Sequence, residues 1–90
     1  MTVHGVDIGD HARSQAARRG VDVETVLRIA ENPEQVIFVR EGREVRQSRI
    51  PFAPGGKMYL VRVVLDRTAE HARIVTVYRT RKIDKDWRKG

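Results

Sequence analysis

The hydrophobic spacing of this chain changes at Pro33, and that change constrains the fold more than any other feature. Before it, apolar residues recur three and four positions apart, as on one face of an α-helix: Val23, Val26, Leu27 and Ala30. After it, β-branched and aromatic residues dominate runs such as QVIFVR and KMYLVRVVLD, as in β-strands. Helices followed by strands are typical of an α+β domain, with the helices grouped on one side of an antiparallel sheet.

Two helices are predicted, over about residues 10–19 and 23–31. The first begins at Asp10, whose side chain suits an N-cap, and stops at Gly20, a residue favoured just beyond a helix end. The second follows Asp22, another N-cap candidate, and cannot continue through the proline that follows it. Because almost nothing separates them, the two helices are expected to form a tight pair or a right-angled corner.

Four strands are predicted after the helices, at about residues 35–40, 43–50, 57–66 and 73–81. A tight turn at EG joins the first two, and PFAPGG and RTAEHA form the later connections. The predicted fold is therefore a single α+β domain over residues 1–90: two N-terminal helices packed on a four-stranded antiparallel sheet. KIDKDWRKG is left as a short C-terminal tail element, and the face of the sheet away from the helices is expected to be partly open.

The chain is 90 residues long and contains no cysteine. A chain of this length forms one domain with one modest core, and without cysteine it has no disulfides, thiol nucleophiles or cysteine-based zinc sites. No apolar run approaches the roughly 20 residues that span a bilayer, and the N-terminal MTVHGVDIGDHARS lacks the features of a signal peptide. We therefore expect a soluble cytoplasmic protein that has no membrane partner.

The positive charge of the chain is concentrated after the helices. Residues 1–34 carry four arginines and six acidic residues, a net charge of −2, whereas residues 35–90 carry fourteen Lys and Arg and six acidic residues, a net charge of +8. Most of these cations are arginines, whose planar guanidinium matches phosphate and carboxylate groups. This favours an anionic partner, most often nucleic acid. The alternative is that arginine is frequent only because the genome is rich in G and C.

One side of the last predicted strand is polar. Within TVYRTRKI, hydroxyls and a cation recur at alternate positions: Thr76, Tyr78, Thr80 and Lys82. Strict alternation places Ile74 on this polar side and Val75 with Val77 on the side of the core. The polar row is either a solvated surface, since threonine is a good strand former, or a site for an anion.

Four segments of the chain resemble a family of small bacterial proteins: His11 opening the first helix, RRGV closing it, DVETVLRIAENPEQVI behind it and IVTVYRTRKIDKDW at the end. A typical member reads HAxxRMxxRGI, then a helix ending in NP, then TVYxTxKIxKYW. Where that pattern has Arg after HAxx, this chain has Gln15. The family is similar to the RelE, ParE and BrnT toxins. The resemblance implies two helices followed by an antiparallel sheet, RNA cleavage without a metal in the ribonuclease members, and an acidic antitoxin partner.

Metal-independent RNA cleavage, which the resemblance implies, needs a base for the 2′-OH, an acid for the leaving 5′ oxygen and cations for the charged intermediate. Histidine and tyrosine can exchange protons, while hydroxyl and amine groups can bind phosphate oxygens. The candidate catalytic residues are His11, Tyr78, Thr80 and Lys82. The candidate nucleic-acid-binding residues are Arg49, Arg62, Thr76, Arg79 and Arg81. RNA is thus the predicted ligand.

Each of these residues also has an ordinary structural role to consider. His11 suits a helix surface, and Tyr78 suits the edge of a core. Trp87 either stacks on a base or anchors the tail against the sheet. His4, His11 and His71 are too scattered to indicate a metal site, so no metal or cofactor is predicted. The alternative function is a non-catalytic basic module that binds nucleic acid or an acidic protein. The sequence does not indicate the oligomeric state.

Overall fold

The computed structural model of the protein describes residues 6–89. Its elements follow in the order β1 (Val6–Ile8), α1 (Asp10–Arg18), α2 (Val23–Glu31), β2 (Gln35–Arg40), β3 (Arg43–Phe52), β4 (Lys57–Arg67), β5 (Ala72–Thr80) and α3 (Ile83–Asp86). The five strands form one sheet in the order β1-β5-β4-β3-β2. β1 runs parallel to β5, and the other neighbouring strands are antiparallel.

The predicted fold, two helices on a four-stranded antiparallel sheet, is wrong because the sheet is mixed and has a fifth strand. β1 adds Val6–Ile8 in parallel register with Ala72–Ile74. Three residues are too few to show the alternation by which a strand is recognised in a sequence. The partner of β1 also lies near the other end of the chain, so no local turn signal marks the pairing. The other four strands and the two long helices lie within two residues of their predicted bounds.

The core lies between the two long helices and one face of the sheet. It is formed by buried apolar residues of both layers: Ala12, Ala16, Val21, Val26, Ile29, Ala30, Val61, Val63, Leu65, Ile74 and Val77. Ile74 and Val77 both face this core although they are three positions apart. A register shift in β5, opposite Val64 and Leu65, makes this possible because a bulge adds one residue to the strand. The predicted placement of Ile74 on the polar side is therefore wrong.

α2 begins at an N-cap that the sequence indicates. The Thr25 N–H donates a hydrogen bond to the Asp22 carboxylate at 2.9 Å. Hydrogen bonds from Thr25 hold the pKa of the Asp22 carboxyl below its usual range. The helix ends at Glu31, before the proline that cannot extend it. No helix in the described part of the chain is long and apolar enough to cross a membrane.

α1 ends in a turn that favours glycine. Gly20 has a φ of 70°, a conformation that side chains with a Cβ adopt only with strain. Its N–H donates to the Ala17 carbonyl at 3.2 Å. The next N–H, that of Val21, donates to the Ala16 carbonyl at 2.9 Å, which satisfies a second carbonyl at the helix end. Val21 and Ala16 are both buried, so the turn also fixes the path of the chain into α2.

We predict that Gly20→Ala lowers the free energy of unfolding by about 1 kcal/mol, because alanine must adopt the left-handed conformation. Nothing lies within 4 Å of the position that the new Cβ would take, so the loss comes from backbone strain and not from a steric clash. Urea unfolding followed by circular dichroism measures it. Gly20→Asn is the matched control and should lose less, since asparagine tolerates this conformation. Equal free energies of unfolding for the wild type and both variants would contradict a left-handed backbone conformation at Gly20.

Candidate functional site

A cationic concavity lies where the end of α1 meets the end of β5. Seven residues line it, and we call this surface the basic hollow: Arg18, Arg19, Tyr59, Arg79, Thr80, Arg81 and Lys82. Its volume is about 510 Å³. Five of the lining residues are cations and none is acidic. A surface of this composition is suited to bind an anion.

The helix contribution to the basic hollow depends on how α1 is held. Arg18 is the last residue of α1 and Arg19 is its C-cap. Cations are favoured at this end of a helix because the unpaired carbonyls carry partial negative charge. α1 packs on the sheet through Ala12 and Ala16, both fully buried. The side chain of Gln15 also accepts a hydrogen bond from the Val77 N–H at 3.2 Å, which ties the helix to β5.

β5 supplies the strand contribution to the basic hollow. Arg79 belongs to the strand, and Arg81 and Lys82 follow its last residue, Thr80. The Lys82 N–H donates to the Thr80 hydroxyl at 3.1 Å, so that hydroxyl already stabilises the bend after the strand. Tyr59 comes from β4, one residue before the partner of Thr80. The hollow is therefore built on paired strands and a packed helix end.

The guanidinium of Arg79 packs against two aromatic rings that are in contact with each other. Its central carbon lies 4.2 Å from the ring centroid of Phe52 and 4.4 Å from that of Tyr59. The two rings contact each other edge to face, with centroids 5.2 Å apart and planes at 76°. The distances from the Arg79 guanidinium to the two rings are both within the range of a cation–π interaction. Arg79 is thus positioned by packing and has lost much of the rotational freedom that a surface arginine keeps.

The cations of the basic hollow have no carboxylate partner among residues 6–89. Six arginines elsewhere in this part of the chain are paired with a carboxylate: Arg43 with Asp66, Arg46 and Arg67 with Glu44, Arg49 with Glu34, Arg62 with Asp86, and Arg73 with Asp7. Arg13, Arg28, Arg40 and Arg88 have no ion pair either, but they do not line the basic hollow. Five unpaired positive charges on one concave surface add their potentials. The basic hollow is consequently a surface that attracts an anionic ligand.

A second polar cluster lies on the sheet face away from the two long helices. Side chains of four adjacent strands form a row, which we call the polar row: Gln35, Gln47, Arg62 and Tyr78. Gln47 is fully buried. It accepts a hydrogen bond from Arg62 Nε at 2.8 Å and donates one to Gln35 Oε1 at 2.8 Å. Arg62 Nη1 donates to the Tyr78 hydroxyl at 2.6 Å.

The C-terminal tail covers the polar row. A carboxylate oxygen of Asp86 lies 3.4 Å from Arg62 Nη1, and the Asp86 carbonyl accepts from Gln47 Nε2 at 3.1 Å. Gln35 Nε2 donates to the Arg88 carbonyl at 2.6 Å, and Gln35 Oε1 accepts from the Arg88 N–H at 3.1 Å. The side chain of Arg62 keeps only 13% of its surface exposed. The row therefore binds the protein's own tail.

Trp87 is held at the edge of the same face by an ion pair. The Arg49 guanidinium lies 4.1 Å from the Trp87 ring centroid. Arg49 Nε and Nη2 each donate to the Glu34 carboxylate at 3.1 Å, and the Arg49 N–H donates to it at 2.8 Å. The Arg49 side chain lowers the pKa of the Glu34 carboxyl chiefly through these hydrogen bonds. Arg49 thus has both a carboxylate and an aromatic partner within the protein.

The basic hollow gathers four of the residues that the sequence singles out: Thr80, Lys82, Arg79 and Arg81. Three more lie on the opposite face: Arg62 and Tyr78 form part of the polar row, and Thr76 is two positions before Tyr78 on the same strand. Arg49 lies beside Trp87 at the edge of that face. Apart from His11, the set therefore divides into four residues that line the basic hollow and four that lie on or beside the face of the polar row.

His11 lies apart from both groups. It is exposed in the first turn of α1, on the layer that covers the face opposite to Tyr78. It lies seven positions before Arg18, which corresponds to about 10 Å along the helix axis. The two side chains predicted to exchange protons in RNA cleavage are thus on opposite sides of the sheet. The structure does not assemble them into one acid–base pair.

Three residues of the basic hollow were not among the predicted site residues: Arg18, Arg19 and Tyr59. RRG at the end of the first predicted helix was the available signal, because two adjacent cations at a helix end remain exposed. Tyr59 had no such signal. Its position next to Arg79 depends on the pairing of β4 with β5, which a single sequence fixes poorly.

Residues 6–89 contain no group of three or more histidine, aspartate and glutamate side chains placed to hold a metal ion. His71 lies 3.3 Å from the Asp7 carboxylate, on the edge formed by β1 and β5. His4 lies outside the described residues.

The fold and the site together define a small domain with a mixed five-stranded sheet, two helices on one face and a cationic hollow beside the last strand. The chain belongs to the family described as Domain of unknown function (DUF4258), which matches residues 8–79. The match ends at Arg79, so three lining residues of the hollow lie just beyond it: Thr80, Arg81 and Lys82. No curated protein and no solved structure matches the chain.

We predict that acidification releases Trp87. The pKa of Glu34 is lower in the folded protein, so its stabilising effect is complete above the unfolded value of about 4.3 and is lost as the pH falls through the lower folded value. Protonation weakens the Glu34–Arg49 pair and therefore the stack on Trp87. Because the chain has one tryptophan, its fluorescence should shift below about pH 4.

Glu34→Gln should produce much of that fluorescence shift at neutral pH, with unchanged far-ultraviolet circular dichroism. Asp22→Asn is the matched control, because it removes another carboxylate with a lowered pKa but in the helical layer. Asp22→Asn should leave the shift of Trp87 fluorescence at low pH unchanged. If Trp87 fluorescence depended on pH in the same way in the wild type and in Glu34→Gln, the role of the Glu34–Arg49 ion pair would be contradicted.

Proposed function

We propose that this protein binds RNA through the basic hollow. The observation that carries the proposal is that five cations, Arg18, Arg19, Arg79, Arg81 and Lys82, line one concave surface with no carboxylate partner among the described residues. Phosphate groups along a nucleic acid supply the complementary row of negative charges. Four of the five cations are arginines, whose paired donors suit phosphate oxygens.

The resemblance to the RelE, ParE and BrnT toxins supports RNA as the nucleic acid and the cytoplasm as the place of action. It also suggests a toxin–antitoxin pair, in which an acidic segment of the antitoxin would lie on the basic hollow. Carboxylates and phosphates would then compete for the same arginines. An acidic peptide that displaces RNA in proportion to its concentration would support a shared surface.

Binding without cleavage is the mode that the geometry supports best. Metal-independent cleavage needs an acid and a base on the two sides of one phosphate. His11 and Tyr78 lie on opposite layers, and the Tyr78 hydroxyl already accepts a hydrogen bond from Arg62. Ribonuclease activity in the basic hollow is the second candidate, because Tyr59 and Lys82 both line it and could exchange protons with a ligand there.

We predict that Arg81→Gln with Lys82→Gln weakens binding to single-stranded RNA at least about tenfold, because two charge-assisted contacts are lost. The slope of log K against log salt should fall in magnitude by about 1.4, since each phosphate contact on a single strand contributes about 0.7. Fluorescence anisotropy over a range of salt concentrations measures both quantities.

Arg40→Gln with Lys89→Gln is the matched control for this experiment. It removes the same charge from exposed positions near β2, three strands away from β5, or about 14 Å across the sheet. The control should leave affinity and slope nearly unchanged. Equal losses in the two double variants would show that net charge, and not the basic hollow, governs binding. No binding by the wild type at low salt would reject RNA as the ligand.

We further predict that the wild-type protein leaves cellular RNA intact in the presence of EDTA, at protein concentrations that saturate binding. Gel electrophoresis of the RNA measures this directly. Discrete fragments would establish cleavage instead. His11→Ala and Tyr59→Phe would then locate the cleavage site. Loss of cleavage in His11→Ala would implicate α1, and loss of cleavage in Tyr59→Phe would implicate the basic hollow.

A further inference from the structure

We infer that the basic hollow recognises single-stranded RNA by holding one unstacked nucleobase in an adjacent aromatic pocket. The inference rests on the proposed RNA binding and adds the form of RNA that is selected. It is carried by a second concavity of about 220 Å³, lined by Phe52, Ala53, Pro54, Lys57, Tyr59 and Arg79. We call this the aromatic pocket.

The aromatic pocket and the basic hollow share a wall. Tyr59 and Arg79 line both, so the two concavities lie side by side on the same surface. One side of the wall offers five cations, and the other offers two aromatic rings, a proline and one further cation, Lys57. A nucleotide carries the same two chemistries next to each other, a charged phosphate and a flat apolar base. An isolated inorganic anion would use only the basic side.

The side chains of the shared wall are held in place before any ligand binds. Arg79 packs against both rings, at 4.2 Å from Phe52 and 4.4 Å from Tyr59. The rings themselves are in edge-to-face contact, and Phe52 also packs against the core. All three side chains are partly exposed. Little rotational freedom is therefore lost when a base stacks on a ring or on the guanidinium, both of which are known stacking surfaces for bases.

A single strand can use both concavities, whereas a duplex can use only one. In a duplex the faces of the bases are stacked on their neighbours, so a protein reaches phosphates and base edges but not base faces. In a single strand one base can turn out into the aromatic pocket while the adjacent phosphates lie on the basic hollow. The preference for single-stranded over duplex RNA therefore comes from the aromatic side of the shared wall, and the salt-dependent affinity comes from the cationic side.

The test compares three labelled ligands with equal numbers of phosphates: a short single-stranded RNA, an RNA duplex of half that length, and an abasic ribose-phosphate chain. Fluorescence anisotropy with the wild-type protein should show the single strand bound about tenfold more tightly than the abasic chain, from stacking of one base. Tyr59→Leu should lower affinity for the single strand much more than affinity for the abasic chain, and so remove most of that difference. Phe38→Leu, at a residue 75% exposed on the distant edge strand β2, is the matched control and should change neither affinity.

The outcomes separate the two proposals. Equal binding of the single strand and the abasic chain by the wild type would overturn the aromatic pocket and leave RNA binding by the basic hollow standing. Duplex bound as tightly as the single strand would overturn it as well. No binding of any of the three ligands at low salt would reject both proposals. Because the wild-type comparison is decisive by itself, the inference stays testable even if Tyr59→Leu does not fold.

Discussion

The pairing of β4 with β3 on one side and β5 on the other is the interaction on which the rest of the structure depends. β4 lies in the middle of the sheet, and Val61, Val63 and Leu65 from it are fully buried against the two helices. Its other face carries Leu60, also fully buried, and Arg62, which holds the polar row. Burial on both faces of one strand gives this small chain two packed layers, the helices on one side and the tail on the other.

The same strand pairing decides which arginines have a carboxylate partner within the protein and which can bind a ligand. Where strands lie side by side inside the sheet, arginines meet carboxylates on their neighbours, as Arg43 meets Asp66 with two hydrogen bonds of 2.6 and 2.8 Å. Among residues 6–89, the end of β5 pairs with β4 alone, since β1 pairs no further than Ile74. The end of α1 occupies the space there and brings two more arginines. The basic hollow thus lies beside the part of β5 that continues past its pairing with β1.

Local patterns were sufficient for the elements with strong signals. Helix bounds followed from Asp22, Gly20 and Pro33, and four strands followed from alternation and turn residues, within two residues of the observed bounds. The mixed sheet was not predictable, because β1 has three residues and a distant partner. The bulge that turns Ile74 toward the core was not predictable either, since alternation assumes a regular strand. In the site, the cations after β5 were visible in the sequence, whereas Tyr59 and the separation of His11 from them were not.

By itself, the sequence determined the two long helices and their ends, four of the five strands, and a positive charge concentrated in the second half of the chain. These features depend on neighbouring residues, whose spacing and caps act locally. Only the tertiary structure decided which arginines are paired and which are free. It also decided that Arg62, Gln47 and Gln35 hold the tail, and that Arg79 packs against both Phe52 and Tyr59. Strand register and helix docking bring together residues that are far apart in the chain, and a single sequence does not encode those distances locally.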